Sequence, residues 1–245
     1  MTNQNIYNDP LFFEGYSRLR WGETGLNKVM EEPAIRSLMP DLAGKRVLDM
    51  GCGFGHVARY VRKMGAAEVL GIDISDRMIE AARQATDDPA ILYAVKAMQD
   101  LEPTPNRFDV VISSMALQYI DDYETVVEAV ARSLSIGGSF LFSIEHPIFT
   151  SLLQGWVLDA AGNRLHWPVD RYHDESERRY TWFVDNVQKY HRTVATYLNT
   201  LTDNGLTIRR VLEPEAQPEF LAERPGLADE SRRPPLMVVS AQKLG

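Results

Sequence analysis

Cysteine is nearly absent from this chain, and that absence restricts the cellular environment before any motif is considered. Cys52 is the single cysteine among 245 residues, so no disulfide can form within the chain and a reducing compartment is expected. No apolar run approaches the ~20 residues that a membrane-spanning helix needs. The first residues lack the basic and apolar regions of a signal peptide. We therefore expect a cytoplasmic protein that has no membrane partner.

Positive charge is also in short supply. The chain has 26 Lys and Arg residues against 34 Asp and Glu residues, which gives a formal net charge of -8 at pH 7. A broad surface that follows phosphates needs the opposite balance, so nucleic acid is not expected as a partner. The 5 histidines have no metal-ligand spacing, so no metal site is expected. With 44% hydrophobic and 24% charged residues, the chain can fold as one large α/β domain or as a domain with a lid.

Glycine, by contrast, is concentrated within residues 45–56, where it occupies alternate positions. The apolar residues 46–50 predict a short buried strand, and a helix is predicted to begin near Phe54 and to run toward Met64. Glycine allows positive φ and lets a ligand approach the backbone closely. A strand, a glycine-rich turn and a helix N-terminus form the nucleotide-binding corner of open α/β sheets. The glycines of this turn are Gly51, Gly53 and Gly55.

Two residues beside the turn narrow the choice of nucleotide. The dinucleotide fingerprint G-x-G-x-x-G requires a small residue at its last position, where this chain has His56. Asp49 precedes the turn, and its carboxylate would repel a phosphate but attract an ammonium group. The pattern therefore favours a ligand with an adenosine, a cationic amino-acid tail and no phosphate. An ordinary glycine turn beside a surface aspartate is the alternative.

The run Asp49-Met50-Gly51-Cys52-Gly53-Phe54-Gly55 resembles motif I of the class I S-adenosylmethionine-dependent methyltransferases, the acidic-x-Gly-x-Gly-x-Gly pattern. The resemblance implies a Rossmann-like methyltransferase fold, which is a doubly wound, seven-stranded, mostly parallel α/β sheet. It also implies S-adenosyl-L-methionine as the cofactor and a small-molecule acceptor. It extends over residues 42–144 by specific motifs and over residues 190–243 by layout. The residues that it places at the cofactor here are Asp49, Gly51, Cys52, Gly53 and Gly55.

An acidic residue ends the second predicted strand, residues 69–73. Asp73 lies 20 positions after the second glycine of the turn, where nucleotide-binding α/β folds have an acid that accepts hydrogen bonds from ribose hydroxyls. The alternative is an acid that caps the following helix, but Ser75 already fills the capping position. The family resemblance gives Asp73 to the ribose and places Ile74 and Met78 against the adenine.

The ends of the next two predicted strands, residues 91–95 and 108–113, supply further cofactor candidates. After the first of them, the family usually has a carboxylate that holds the adenine amine, and this chain has none at that place, so packing and backbone contacts are expected instead. Ligands of open α/β sheets lie at the carboxyl ends of the strands. The residues expected at the cofactor from these two strand ends are Ala97, Met98, Ser114 and Met115.

Two histidines are candidate general bases. The fifth predicted strand, residues 139–144, leads into Glu145-His146-Pro147, so His146 emerges at the same sheet edge as the glycine turn. Histidine titrates near neutral pH and can accept a proton from a hydroxyl or a ring N–H. His191, in the run Tyr-His-Arg-Thr, is the second candidate. A structural role is the alternative for both, since some acceptors need no base. The two runs together resemble a bacterial subgroup that includes N-methyltransferases acting on nitrogen heterocycles.

The chain divides into four predicted parts: residues 1–40 form an N-terminal helical cap, 41–146 the cofactor-binding core, 147–190 an inserted lid, and 191–245 the rest of the core. In the resembling family, an N-terminal Tyr or Arg closes over the methionine end of the cofactor, and Tyr16 and Arg20 are the candidates here. The lid is predicted to contain two hairpins with turns at 158–163 and 184–186. Its aromatic residues either staple thin hairpins or grip a flat acceptor. The candidates for acceptor binding are Gln118, Trp156, Tyr172, Trp182 and Tyr190.

These observations predict a methyltransferase that moves a methyl group from S-adenosyl-L-methionine to O or N of a small aromatic or heterocyclic acceptor. One alternative is a non-catalytic, regulatory protein that binds the same cofactor. Another is a nicotinamide-dependent oxidoreductase, which His56 and the absence of a Tyr-x-x-x-Lys pair disfavour. The sequence does not decide between a monomer and a homodimer.

Overall fold

A computed structural model of the chain describes residues 4–21, 25–152 and 154–245. The strands are Arg46–Met50 (β1), Glu68–Asp73 (β2), Ile91–Val95 (β3), Phe108–Ser114 (β4), Leu134–Glu145 (β5), Val157–Leu158 (β6), Arg164–His166 (β7), Glu177–Trp182 (β8), Val184–Tyr190 (β9), Leu206–Leu212 (β10) and Leu236–Lys243 (β11). The α-helices are Pro10–Trp21 (α1), Glu32–Ser37 (α2), His56–Lys63 (α3), Asp76–Gln84 (α4), Tyr123–Ser133 (α5), Pro147–Ser151 (α6), Val194–Asp203 (α7) and Pro218–Glu223 (α8).

Seven of these strands form one twisted sheet in the order β10-β11-β5-β4-β1-β2-β3. β11 is antiparallel to both of its neighbours, and every other pair is parallel. This confirms the seven-stranded, mostly parallel, Rossmann-like methyltransferase fold that the motifs predict. The parallel strands end together at one edge, which places the residues that follow β1, β2, β3 and β4 side by side.

Helices cover both faces of the sheet, which is why its central strands are apolar almost without interruption. On one face, α5 and α7 pack against β4, β5 and β11 around Phe140 and Phe142. On the other face, α2, α3 and α4 pack against β1 and β2 around Val47 and Val69. All four of these side chains are at most 2% exposed. The two apolar layers fix the strands, so the polar residues at the strand ends are held by a rigid scaffold.

The N-terminal part is helical, as predicted. Asp9 caps α1, since its Oδ1 accepts hydrogen bonds from the backbone N–H of Leu11 (2.9 Å) and of Phe12 (3.0 Å). A five-residue π-helix, Asn27–Glu31, leads directly into α2. Its last residue is buried, and one carboxylate oxygen of Glu31 accepts from the hydroxyls of Ser114 (2.8 Å) and Ser143 (2.7 Å). These hydrogen bonds tie the N-terminal part to the ends of β4 and β5.

Residues 147–190 contain the two predicted hairpins, β6–β7 and β8–β9, preceded by α6. The second turn is centred on Phe183, which has a φ of 60°, and so lies two residues before the centre of the predicted turn. This part also contacts the chain's beginning: the Gln4 side-chain amide donates to the carbonyl of Asn186 and accepts from the N–H of Gln188, both at 2.8 Å. In the described part of the chain, none of the helices has the length and apolarity needed to cross a membrane.

Candidate active site

The glycine turn closes over the end of β2. The N–H groups of Gly51 and Cys52 both donate to the carbonyl of Ile72, at 2.8 and 3.0 Å. Gly51 and Gly53 have φ of 70° and 50°, which L side chains rarely adopt. A Cβ on Gly51 would lie 2.5 Å from the Cβ of Ala116, whereas a Cβ on Gly53 would meet no atom within 4 Å. Gly51 is therefore needed for packing, and Gly53 faces open space.

That open space is a cleft of about 720 Å³ at the carboxyl edge of the sheet. Four strand ends and the N-terminal part of the chain form its walls. Its lining includes Tyr7, Tyr16, Gly51, Gly53, Asp73, Ile74, Met78, Ala97, Met98, Ser114, Met115 and Tyr119. A smaller recess under the turn continues the cleft and is lined by Tyr16, Arg20, Asp49, Gly51, Cys52, Gly53 and Ser114, among others.

Asp73 is held rigidly at the wall of the cleft. Its Oδ1 accepts from the N–H of Ser75 and its Oδ2 from the N–H of Gly53, both at 2.9 Å. Burial raises the pKa of Asp73, and these backbone hydrogen bonds work against that shift because they favour the carboxylate. Ser75 caps α4 with its own hydroxyl, which accepts from the N–H of Met78 at 3.2 Å. The capping position is thus filled, and the Asp73 carboxylate can still accept hydroxyl donors from the cleft.

The carboxylate of Asp49, unlike that of Asp73, is buried without close hydrogen-bond donors among the described residues. It is 1% exposed, and in the described part of the chain neither carboxylate oxygen has a hydrogen-bond partner within 3.5 Å, so the N–H of Ala58 compensates it only weakly. Burial raises the pKa of Asp49 to about 7, with a smaller opposing effect from the N–H of Ala58. An unpaired buried carboxylate costs folding free energy unless a cation approaches it. Because Asp49 lines the recess, a cationic group of a ligand placed there would compensate its charge.

A second, larger chamber of about 1500 Å³ opens beside the cleft. Tyr7, Tyr16, Met115 and Tyr119 line both spaces and separate them. The far walls are aromatic, with four side chains from the lid region, and polar groups lie between them. These walls include Phe149, Trp167, Tyr180 and Trp182, and the polar residues include Gln118, Glu145, Lys189 and Arg224. A flat molecule in this chamber would lie directly beside the contents of the cleft.

The structure brings together nearly all of the residues that the sequence assigned to the cofactor. Every one of them lines the cleft or the recess, with the exception of Gly55. Gly55 has a φ of 72° at the start of α3, and a Cβ there would lie 2.2 Å from the hydroxyl oxygen of Tyr93. This glycine therefore serves the packing of the turn against β3, and its expected contact with the ligand is corrected.

The acceptor-binding candidates divide into two groups. Gln118 and Trp182 line the chamber. Trp156, Tyr172 and Tyr190 are not part of its lining, because each is engaged elsewhere. The Tyr172 hydroxyl accepts from a helix N–H at 3.1 Å, the Tyr190 hydroxyl accepts from a side-chain amide at 3.0 Å, and Trp156 packs edge-on against Trp167 at 5.5 Å.

Both candidate bases are buried away from the chamber lining. Nδ1 of His146 accepts from the N–H of Ile148 at 3.0 Å and caps α6, so Nε2 carries the proton and donates to Glu213 at 2.9 Å. Nε2 of His191 must donate to the carbonyl of Tyr172 (2.9 Å), so its Nδ1 accepts from the hydroxyl of Thr150 (2.7 Å). Burial lowers the pKa of both imidazoles. Neither ring has a free nitrogen, which corrects the expected position of His146 facing the transferred methyl.

Several chamber residues were not among the sequence candidates: Tyr7, Tyr119, Glu145, Tyr180 and Lys189. Glu145 and Lys189 form an ion pair in which the lysine side chain is 2% exposed. The sequence does contain a signal for Glu145, since it ends β5 at the same edge as the glycine turn. For Tyr7, which precedes α1, no motif or periodicity gives such a signal.

Comparison with known proteins agrees with this architecture. A family model described as a methyltransferase domain matches residues 48–142, which run from β1 into β5. Two solved proteins are described as S-adenosylmethionine-dependent methyltransferases. The one from Listeria monocytogenes has a TM-score of 0.84 and 45% identity, over 88% of this chain and 97% of its own. The one from Mesorhizobium loti has a TM-score of 0.82 and 39% identity, over 90% of this chain and 99% of its own.

An enzyme relative matches over a shorter region. The ubiquinone biosynthesis O-methyltransferase of Neisseria meningitidis is 39% identical over 107 residues, which is 42% of this chain and 45% of that enzyme. This chain thus aligns with less than half of the length of that relative.

Proposed function

Because the chain belongs to the class I S-adenosylmethionine-dependent methyltransferases, we propose that it methylates O or N of a small aromatic or heterocyclic acceptor. The observation that carries this proposal is the aromatic-walled chamber that shares four residues with the cofactor cleft. Aromatic walls interrupted by a few polar groups are typical of sites that select flat ligands. The O-methyltransferase name of the Neisseria relative supports an oxygen acceptor as one of the two choices.

S-Adenosylmethionine fits the residues of the cleft. In this proposal, Asp73 accepts hydrogen bonds from the ribose hydroxyls, and Gly53 leaves room for the ligand beside the turn. Ile74, Met78 and Met98 pack against the adenine. The orphaned carboxylate of Asp49 receives the ammonium group of the methionine tail. Each of these groups matches a polar or apolar feature of the ligand.

The cofactor supplies a sulfonium methyl group that is already activated for transfer. The protein's task is therefore to align the acceptor and to keep water out, and alignment alone can lower a barrier by several kcal/mol. The tyrosines shared by the cleft and the chamber do both. Tyr7 and Tyr16 pack edge-on at 5.1 Å between ring centroids, and Tyr7 and Tyr119 at 5.9 Å. Together these tyrosines line the boundary between the cleft and the chamber, where the methyl group would be transferred.

The proposal is tested with radiolabelled S-adenosylmethionine and a panel of phenol, 4-hydroxybenzoate, imidazole and indole, with aliphatic alcohols and amines as comparison. The carboxylated phenol is included because Arg224 lines the chamber. We expect transfer to at least one aromatic acceptor, and a rise of about tenfold in its KM for Trp182→Leu, since one stacking wall is lost. Trp156→Leu is the matched control, as this lid tryptophan is not part of the chamber lining. Transfer to the aliphatic compounds alone would contradict the proposal.

His146→Ala is expected to weaken the protein more than the reaction. The variant loses the cap of α6 and the contact with Glu213, so the free energy of unfolding should fall by roughly 1 kcal/mol. Turnover at saturating acceptor is expected to stay within about threefold of wild type, because general bases typically contribute 10²-fold or more and this ring has no free nitrogen. Urea unfolding and single-turnover rates measure the two effects, with the exposed His173→Ala as the control. A loss of rate near 10²-fold in a folded variant would restore His146 as the proton acceptor.

A further inference from the structure

The carboxylate of Glu145, in the wall of the chamber, has only one of its two oxygens paired. Oε1 of Glu145 forms an ion pair with Nζ of Lys189, and the two side chains are 15% and 2% exposed. The second oxygen, Oε2 of Glu145, is buried and has no hydrogen-bond partner among the described residues. The Tyr180 hydroxyl is buried too and has no partner within 3.5 Å in the described part of the chain, although the side chain of Tyr119 still interacts with it. Glu145, Lys189 and Tyr180 all line the chamber. Buried polar atoms nearly always have partners, so the unpartnered oxygen of Glu145, with the weakly bonded Tyr180 hydroxyl in the same chamber, points to a ligand group that completes them.

We propose that Glu145 and Tyr180 bind the reacting group of the acceptor, and that Oε2 of Glu145 accepts its proton. Lys189 is the positioning residue that pairs with Oε1 of Glu145 and orients its carboxylate. This inference rests on the proposed function, since it assigns the polar end of the chamber in which the acceptor lies.

The charges around Glu145 specify an acceptor group that is neutral. Lys189 compensates the carboxylate, and its Nζ already lies 4.2 Å from the ring centroid of Tyr180 and 5.4 Å from that of Trp182. Lys189 thus already occupies the position above these rings where a cationic acceptor would bind. An anionic reacting group would meet the carboxylate of Glu145.

The tyrosine hydroxyls nearby are neutral as well. Burial raises the pKa of Tyr119, and the nearness of Tyr180 and Glu145 raises it further. Burial and Glu145 likewise raise the pKa of Tyr180. Among the described residues, the groups that interact with Glu145 include the Lys189 cation and the neutral hydroxyls of Tyr119 and Tyr180. They select a neutral O–H or N–H, such as that of a phenol or an azole.

The step balances without a further reactant. The acceptor's O or N forms a bond to the methyl carbon, and the carbon–sulfur bond breaks with its electron pair staying on sulfur. The proton of the O–H or N–H passes to Oε2 of Glu145. The positive charge of the sulfonium and the negative charge of the carboxylate disappear together, leaving a thioether, the methylated acceptor and a carboxylic acid. The acid then returns its proton to solvent.

The test uses 4-nitrophenol, a phenol that titrates near neutral pH and is coloured only when ionised. It is titrated into the full-length protein with saturating S-adenosylhomocysteine, so no transfer takes place. In wild type we expect the bound probe to stay neutral, so that its colour is lost on binding and its pKa rises. The double variant Glu145→Gln/Lys189→Met removes both charges together and so avoids a buried unpaired ion. It is expected to bind at least roughly tenfold more weakly and to lose the pKa shift.

Two further variants separate recognition from folding. Glu230→Gln breaks a comparably buried pair with Arg233, in which the side chains are 14% and 6% exposed and neither lines the chamber, so it should bind the probe as wild type does. Tyr180→Phe removes one hydroxyl without changing shape, and a smaller loss of roughly threefold or more is expected. The proposal is overturned if wild type fails to bind the probe, binds it as the phenolate, or binds it no better than the folded variants of Glu145 and Tyr180.

The acceptor panel separates this inference from the proposed function. If a phenol or azole is methylated by the double variant with wild-type KM and pH profile, the assignment of Glu145 fails while the proposed function stands. If wild type binds 4-nitrophenol as the neutral phenol but methylates none of the aromatic acceptors, the proposed function fails while the assignment of this polar group stands.

Discussion

Replacing Asp49 with Asn is expected to have opposite effects on folding and on cofactor binding. Asp49 is buried without a partner, and its pKa of about 7 lies well above the value near 4 of a free aspartate. Its neutral form therefore contributes stability that is fully present below about pH 4 and is lost as the pH rises through about 7. Up to roughly 4 kcal/mol separates these limits for the ligand-free wild type, and the Asn variant should lack this decline.

Urea unfolding at pH 5 and pH 8 measures that difference without the cofactor. Asp109→Asn is a control of opposite sign, because its ion pair with Arg46 holds the pKa of Asp109 well below the ordinary value. That variant should lose stability above about pH 4. An unchanged pH dependence in Asp49→Asn would show that the carboxylate is compensated in the free protein.

Cofactor binding should respond to the same carboxylate. For S-adenosylhomocysteine, we expect the affinity of wild type to increase as the pH rises through about 7, since the ammonium group binds the ionised form of Asp49. Asp49→Asn should bind at least roughly tenfold more weakly at pH 8, with a flat pH profile between 6 and 8. Calorimetric titration gives both quantities, and equal affinity of the two proteins would remove Asp49 from the ammonium site.

Gly53→Ala is expected to remove most cofactor binding while leaving the protein folded. The new Cβ would meet no protein atom within 4 Å, so the main folding cost is the positive φ of 50°, about 1–2 kcal/mol. The methyl group would, however, occupy the side of the turn that the ligand approaches, and the affinity for S-adenosylhomocysteine should fall by roughly tenfold or more. Urea unfolding and calorimetric titration separate the two effects.

Two other glycines are matched controls for this substitution. Gly137→Ala has the same kind of strain, with a φ of 79° and open space, but lies away from the cleft, so only stability should fall. Gly51→Ala would place a Cβ 2.5 Å from Ala116 and 2.8 Å from Met98, so overpacking should add about 1–3 kcal/mol to the strain. Wild-type affinity in Gly53→Ala would show that this part of the turn does not touch the cofactor.

The cofactor half of the site was predictable because the signals for it are local. A buried strand, a glycine turn and a helix are consecutive in the chain, and Asp73, which was selected by its spacing from Gly53, does line the cleft. There it also accepts from the N–H of Gly53, a contact that the sequence analysis did not predict. The seven-stranded, mostly parallel sheet followed from the family resemblance that these motifs carry, although the order of its strands did not. Cofactor placement therefore needed only the rule that parallel strands end together.

The acceptor half was harder for a reason that lies in strand geometry. Successive side chains of a strand point to opposite faces of the sheet. When two polar residues are adjacent at the end of a strand, their side chains therefore point in opposite directions. At the end of β5, Glu145 faces the chamber, while His146 turns to cap α6. At the end of β9, Lys189 faces the chamber, while Tyr190 does not line it. In both places the sequence analysis selected the adjacent residue, His146 or Tyr190. The local sequence does not indicate which side of the strand lines the chamber.

The single cysteine of this chain lies in the glycine turn, so its rate of chemical modification can be used to measure access and motion at this edge of the sheet. Cys52 lines the recess under the glycine turn with 8% exposure, and burial raises the pKa of its thiol, so little thiolate is within reach of a reagent. Chemical modification is therefore expected to be slow, and its rate reports both on access through the recess and on local openings of the turn. Because no second thiol competes, the rate comes from a single atom. Its dependence on a bound nucleoside would report how far the ligand covers this edge and suppresses its opening.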